Sequence, residues 1–205
     1  MSDLAAGAEK SPQNKITLRA QLLTARRSLP ATARAAAATQ LQDQTLAFVR
    51  RSAPRTVAAY VPSPAEPGGP DLPDLLRAAL PPGGRLLLPV LLPDNDLDWA
   101  EYTGELTPAT RGLHEPPGPR LGVTALRTAD LILVPALAVG RDGTRMGRGG
   151  GSYDRALARL PHPGPLVVAL LHDHEAVDAV PAEPHDRPVY GVLTPSGFSP
   201  RPLPG

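Results

Sequence analysis

The 205-residue sequence contains no cysteine, which excludes disulfides, a thiolate metal site and a cysteine nucleophile. Lysine is nearly absent. Lys10 and Lys15 are the only two, so arginine supplies almost all of the positive charge and each lysine is worth locating. The 21 basic residues barely outnumber the 20 carboxylates, and a formal net charge of +1 gives no general attraction for nucleic acid or an anionic membrane. Aromatic residues make up only 3%, without the basic-aromatic repeats of a nucleic-acid binder. There is neither a secretory hydrophobic segment at the N-terminus nor an apolar run long enough to span a bilayer, so a soluble cytoplasmic protein is expected.

Proline, by contrast, is plentiful at 27 residues. It clusters at 62–73, 81–93, 116–119 and after 195, where it punctuates loops between elements. The length suits one compact domain. Residues 1–14 read as a flexible leader, 15–195 as the domain and 196–205 as a flexible tail. Leu18, Leu22, Ala25 and Leu29 form one apolar stripe, predicting a helix from Lys15 that Pro30 stops. A second helix is expected over 32–50, and a short one over 71–80. Strands are expected over 56–61, 85–90, 131–134, 166–171 and 190–194, with 97–102 as an edge strand. This alternation predicts an α/β fold, a Rossmann-like three-layer arrangement with an open, mostly parallel sheet and helices on both faces. Ligands in such sheets sit beyond the carboxyl ends of the strands.

The most informative stretch runs from 131 to 160. The apolar run Leu131-Ile132-Leu133-Val134 ends at Pro135. A loop follows that holds Gly140, Gly143, Gly147, Gly149, Gly150 and Gly151, with Arg141, Arg145 and Arg148 among them. Ser152 is read as the N-cap of a helix carrying Ala156, Leu157 and Leu160. Strand, glycine loop and helix N-terminus in that order present unpaired amides to an anion. Glycine-rich loops also serve as flexible connectors. The segment is not a Walker A loop, which needs a lysine, nor a dinucleotide GxGxxG, because Ser152 occupies the last glycine position.

Val134-Pro135, Gly143, Arg145-Met146-Gly147-Arg148-Gly149, Gly151 and Tyr153-Asp154-Arg155 together resemble the signature of the 5-formyltetrahydrofolate cyclo-ligase family. Gly112-Leu113-His114-Glu115-Pro116 is similar to a second element of that family, and Glu183-Pro184-His185-Asp186 to its C-terminal pattern. The resemblance implies ATP-dependent closure of 5-formyltetrahydrofolate to 5,10-methenyltetrahydrofolate by a monomer acting on small molecules, with Mg²⁺ as cofactor and ATP as co-substrate. It implies nucleotide contacts from Lys15, Arg19 and the run Arg145, Met146, Gly147, Arg148, Gly149, Gly150, Gly151, Ser152 and Tyr153. It places the folate against Val61, Glu66, Arg148, Gly149, Gly150, Gly151 and Ser152. Asp154 and Asp186 are the implied Mg²⁺ ligands, and Arg145, Arg148 and Tyr153 the implied catalytic residues.

Other readings of these residues stay open. Lys15 and Arg19, four apart, are also two solvated cations on a helix surface. Trp99 and Tyr102 suit either stacking on a ring or packing. His172 and His174 are read as exposed polar residues in preference to a metal pair, and His114 as a loop residue without chemistry. The chain departs from the family at Val139-Gly140, Ser152, Glu175 and Tyr190, so a relative that binds nucleotide or folate without turnover is the alternative.

Overall fold

The computed structural model describes residues 12–181 and 187–202. Helices α1 (Pro12–Ser28) and α2 (Ala31–Ser52) precede strand β1 (Thr56–Ala58), helix α3 (Leu72–Ala79) and strands β2 (Arg85–Leu91) and β3 (Leu97–Glu101). The short strands β4 (Thr107–Pro108) and β5 (His114–Glu115) lead to β6 (Leu131–Pro135), the hairpin strands β7 (Ala138–Val139) and β8 (Arg145–Met146), and helix α4 (Ser152–Ala158). β9 (Leu166–Leu170), β10 (Gly191–Thr194) and β11 (Gly197–Pro200) complete the order.

Seven strands form one sheet in the order β11-β10-β9-β6-β1-β2-β3. The five inner strands are parallel, and β3 and β11 pair antiparallel at the two edges. Because side chains alternate along a strand, each inner strand feeds two cores. Leu131 and Leu133 join α2 and α3 on one face, whereas Ile132 and Val134 join α4 and Trp99 on the other. All four are at most 1% exposed, as the uninterrupted apolar run of a strand covered on both faces requires. A third cluster, Leu22 with Leu137, Ala138, Met146 and Val180, seats α1 against the β7–β8 hairpin. No described helix is long and apolar enough to cross a membrane.

Several boundaries differ from the sequence reading. α1 starts at Pro12 instead of Lys15, since proline's fixed φ suits a first helical position. The strand expected over 56–61 pairs only over Thr56–Ala58, and Tyr60 and Val61 leave the sheet to become cavity wall. The tail expected from 196 instead contains β11, whose Phe198 ring lies 4.7 Å from that of Phe48. Pro195, Ser196 and Pro200 masked this strand, because the pairing comes from the neighbouring β10 and not from local propensity.

From β1 the chain first builds outward through β2 and β3, then crosses back to β6 on the other side of β1. β1 and β6 thus flank a topological switch point, where the connections leave in opposite directions and open a crevice at the carboxyl ends.

Candidate active site

That crevice is a cavity of about 430 Å³, bounded by the ends of both switch-point strands through Tyr60, Val61, Pro135 and Ala136. Pro89, Leu91 and Leu97 give it an apolar wall, and residues 147–154 close the opposite side. The glycine segment reaches this place through tight local geometry. Gly149 has φ +103° with the Arg19 guanidinium against it, and a β-carbon there would lie 3.4 Å from Arg19 Cζ. Gly151 has φ +69° and is the residue that caps α4. Ser152 is therefore not the cap, as read from the sequence, but the first helical residue, because the left-handed turn into α4 falls one position earlier. α4 is only seven residues long, so an anion at this place would meet side chains and loop amides more than a helix dipole.

The polar groups are arranged in layers. At the floor, Arg145 is 4% exposed, donates from Nη1 to Pro135 O (3.2 Å) and pairs through Nη2 with Asp154 Oδ1. Its guanidinium carbon lies 5.9 Å from the centre of the Tyr153 ring, within cation–π range. Arg145 Nε and the Tyr153 hydroxyl are buried without a hydrogen-bond partner. Burial, and then the charge of Glu66, push the Tyr153 hydroxyl well up, so it remains a protonated donor. Tyr60 is raised in the same way, first by burial, and its hydroxyl donates to Pro67 O (2.7 Å).

At the rim, Glu66 accepts from the Ser63 amide (2.9 Å) and meets Arg148 Nη1 at 3.3 Å. Arg155 donates to both Asn95 O (2.6 Å) and Gly150 O (3.2 Å), bolting the glycine loop to the turn between β2 and β3.

The structure therefore gathers Val61, Glu66, Arg145, Gly147, Arg148, Gly149, Gly150, Gly151, Ser152, Tyr153 and Asp154 around one cavity. Arg19 stands just behind, with Nε donating to Gly147 O (3.2 Å), and Lys15 lies one turn earlier on α1, half-buried. Met146 departs from its expected role as a nucleotide contact. Its side chain is fully buried in the α1 cluster, because it faces inward from β8. Asp186, with Glu183, Pro184 and His185, lies outside the described residues. Among the described residues no three His, Asp or Glu side chains gather as a metal site. Asp154 is nonetheless a partly exposed carboxylate on the cavity wall. Mg²⁺ carried by nucleotide phosphates needs only one or two such ligands, so the residues present fit a nucleotide-borne ion.

Trp99 and Tyr102 pack in the core, at 0% and 5% exposure, and neither lines the cavity. His114 is not a loop residue: it pairs in β5 and lines the cavity. His172 is also not exposed. It is 7% accessible, its ring stacks on His174 at 5.9 Å, and burial lowers its pKa. Of the departures from the family pattern, Val139, Gly140, Glu175 and Tyr190 lie off the cavity wall, and Ser152 alone lies on it.

Sequence reasoning missed Arg26. It is 2% exposed and lines the cavity, donating to both oxygens of Glu175 (2.6 and 2.8 Å) and to Ala136 O. A signal existed: Arg26 sits four residues after Leu22 and three before Leu29, a charge inside the apolar stripe of α1.

Comparison with known proteins identifies the chain's relatives. A curated 5-formyltetrahydrofolate cyclo-ligase of Mycolicibacterium smegmatis is 45% identical over 191 residues, covering 90% of this chain and 95% of that one. The Escherichia coli K12 cyclo-ligase is 36% identical over 118 residues, 56% of this chain and 65% of that one. Two solved 5,10-methenyltetrahydrofolate synthetases share the fold. That of Mycoplasma pneumoniae has a TM-score of 0.70 at 20% identity, covering 89% of this chain and 99% of that one. That of Aquifex aeolicus has 0.71 at 24% identity, covering 93% and 96%. Residues 11–195 match the family description as a whole, and the chain belongs to the 5-formyltetrahydrofolate cyclo-ligase family.

Proposed function

We propose that the protein closes 5-formyltetrahydrofolate to 5,10-methenyltetrahydrofolate with consumption of ATP. The observation that carries this reading is the pair of unmet buried donors, Arg145 Nε and the Tyr153 hydroxyl, between an apolar wall with a carboxylate and a glycine loop with arginines. A flat ring suits the first surface and phosphates suit the second. Glu66 accepts from adjacent ring and exocyclic N–H groups of the pterin, with Val61 and Tyr60 against the ring. Lys15, Arg19, Arg145, Arg148 and the amides of Gly147–Gly151 hold the phosphates.

The formyl group of the substrate is amide-like, so its carbon is a poor electrophile and its oxygen a poor leaving group. Transfer of the γ-phosphoryl group to that oxygen gives an iminium phosphate and ADP. N10 then attacks the carbon, the C–O bond breaks, and phosphate departs. The protein's part is alignment and charge stabilisation. Asp154, with Asp186, would hold Mg²⁺ through the phosphates, where the ion would offset charge on the transferring group.

The test is methenyl absorbance on mixing protein, 5-formyltetrahydrofolate and Mg-ATP, against a control without ATP. ATP-dependent product is expected. No product, with nucleotide or folate binding still measurable by calorimetry, would replace this reading with a binding protein. Asp154→Asn preserves the shape beside Arg145, and it should abolish Mg-dependent turnover while circular dichroism stays native. Turnover like wild type would remove Asp154 from the metal site.

A further inference from the structure

Among the described residues only two arginines are buried, Arg26 and Arg145. They hydrogen-bond to consecutive carbonyls, Ala136 O and Pro135 O, where β6 ends at the cavity floor. Each is paired with one carboxylate, Glu175 or Asp154, and both line the cavity. Arg145 belongs to the family signature, whereas nothing in that signature involves Arg26.

The hydrogen-bond inventory of Arg26 is specific. Nε and Nη2 are used on Glu175 and Ala136, so Nη1 keeps its N–H donors without a protein acceptor among the described residues. Two buried unmet donors, Arg145 Nε and the Tyr153 hydroxyl, therefore share one cavity with Arg26, whose Nη1 has no acceptor among the described residues. A guanidinium has no acceptor capacity and stays charged, so donors left over at the floor suit an oxygen that carries negative charge. Stability alone does not explain the arrangement, because a buried ion pair often contributes no more than well-packed apolar side chains would. Glu175 adds rigidity. It grips Arg26 with two oxygens and also accepts from the His172 amide at 2.9 Å, which leaves the guanidinium one orientation.

Resting on the ring-closure reading, we propose that Arg26 is a further catalytic residue. Its Nη1 donates to the formyl oxygen as the C–O bond breaks and that oxygen leaves with phosphate, and Glu175 is its positioning residue. In the first step the O–P bond forms and the bond from the γ-phosphorus to the bridging oxygen breaks, with ADP carrying away the electron pair. In the second, N10 bonds to the formyl carbon and gives its proton to solvent, and the C–O pair leaves with phosphate. The charge on the oxygen falls as it bonds to phosphorus and rises as the C–O bond breaks. Arg26 meets it without exchanging a proton.

The experiment pairs Arg26→Met with Glu175→Gln, a double variant that removes both charges and keeps an acceptor for the His172 amide. It should melt within a few degrees of wild type. Loss of one preorganised donor costs about 10²–10³ in kcat, so kcat should fall about a hundredfold or more, with KM for ATP and folate nearly unchanged. Arg26→Lys keeps the charge beside Glu175, loses the fixed planar edge, and should show the same split if the double variant does not fold. A stable double variant, or a folded Arg26→Lys, turning over within threefold of wild type would overturn the assignment and leave Arg26 a packing residue. A rise in KM with kcat unchanged would overturn it too. No ATP-dependent product from wild type would overturn the ring-closure reading itself, and this assignment with it.

Discussion

Of the arginine–carboxylate pairs at the cavity, Arg26–Glu175 at the floor and Arg148–Glu66 at the rim differ in what they can do. Arg26 and Glu175 are 2% and 0% exposed and share two hydrogen bonds. Arg148 and Glu66 are 59% and 11% exposed and meet once, at 3.3 Å. Burial makes the first pair stiff and costly to break, since removing one partner strands a charge in a low-dielectric interior. Solvent makes the second cheap to break. In the proposed reaction the rim pair is thus free to trade partners, Glu66 for a ring and Arg148 for a phosphate, while Arg26–Glu175 holds one geometry.

The largest effect should come from splitting the floor pair. Glu175→Ala leaves the Arg26 charge stranded and should destabilise by about 3–5 kcal/mol, read as a lower urea midpoint. A loss under about 1 kcal/mol would make the two pairs equivalent. Next is Glu66→Gln, which keeps size but offers the pterin one acceptor oxygen in place of two. Loss of a charged hydrogen bond worth about 1.5–3 kcal/mol should raise the folate KM roughly tenfold to a hundredfold, with the melting temperature unmoved. An unchanged KM would detach Glu66 from the folate. Arg148→Ala should cost less than about 1 kcal/mol in stability while raising the KM for ATP. A large fall in melting temperature would mean that the rim pair is structural.

The smallest effect concerns pH. Burial lowers the folded-state pKa of His172. As pH falls below the unfolded value of about 6.5, the unfolded chain takes up a proton that the folded chain refuses, so stability declines until the folded pKa is passed. His172→Asn retains a capping acceptor and removes this titration. Its stability should fall less than that of wild type between pH 7 and pH 5, and parallel curves would show that His172 contributes nothing there.

Much of the architecture was legible in the chain. The run from Leu131 to Val134 announced a strand covered on both faces, and the stripe Leu18, Leu22, Ala25 and Leu29 announced α1. Arg145, Arg148 and the glycines around them pointed to the segment that closes one side of the cavity. β11 was not legible, because its register depends on β10. Nor was the fate of Trp99, since an amphipathic ring reads alike for a core and for a ligand platform until its neighbours are known.

By itself the sequence determined periodicity, chain reversals and the chemistry available: which strands are apolar throughout, where glycine permits a left-handed turn, and which short segment concentrates arginine. These are local properties, set by side chains within a few residues of one another. Only the tertiary structure decided that Arg26 meets Glu175 across 149 residues of chain, and that Arg148 reaches Glu66 across 82. It likewise sank Met146 into the α1 cluster instead of the cavity. Burial is what turns an ordinary arginine on a helix into a fixed cation, and burial is a property of the packed sheet and helices, not of any one stretch of the chain.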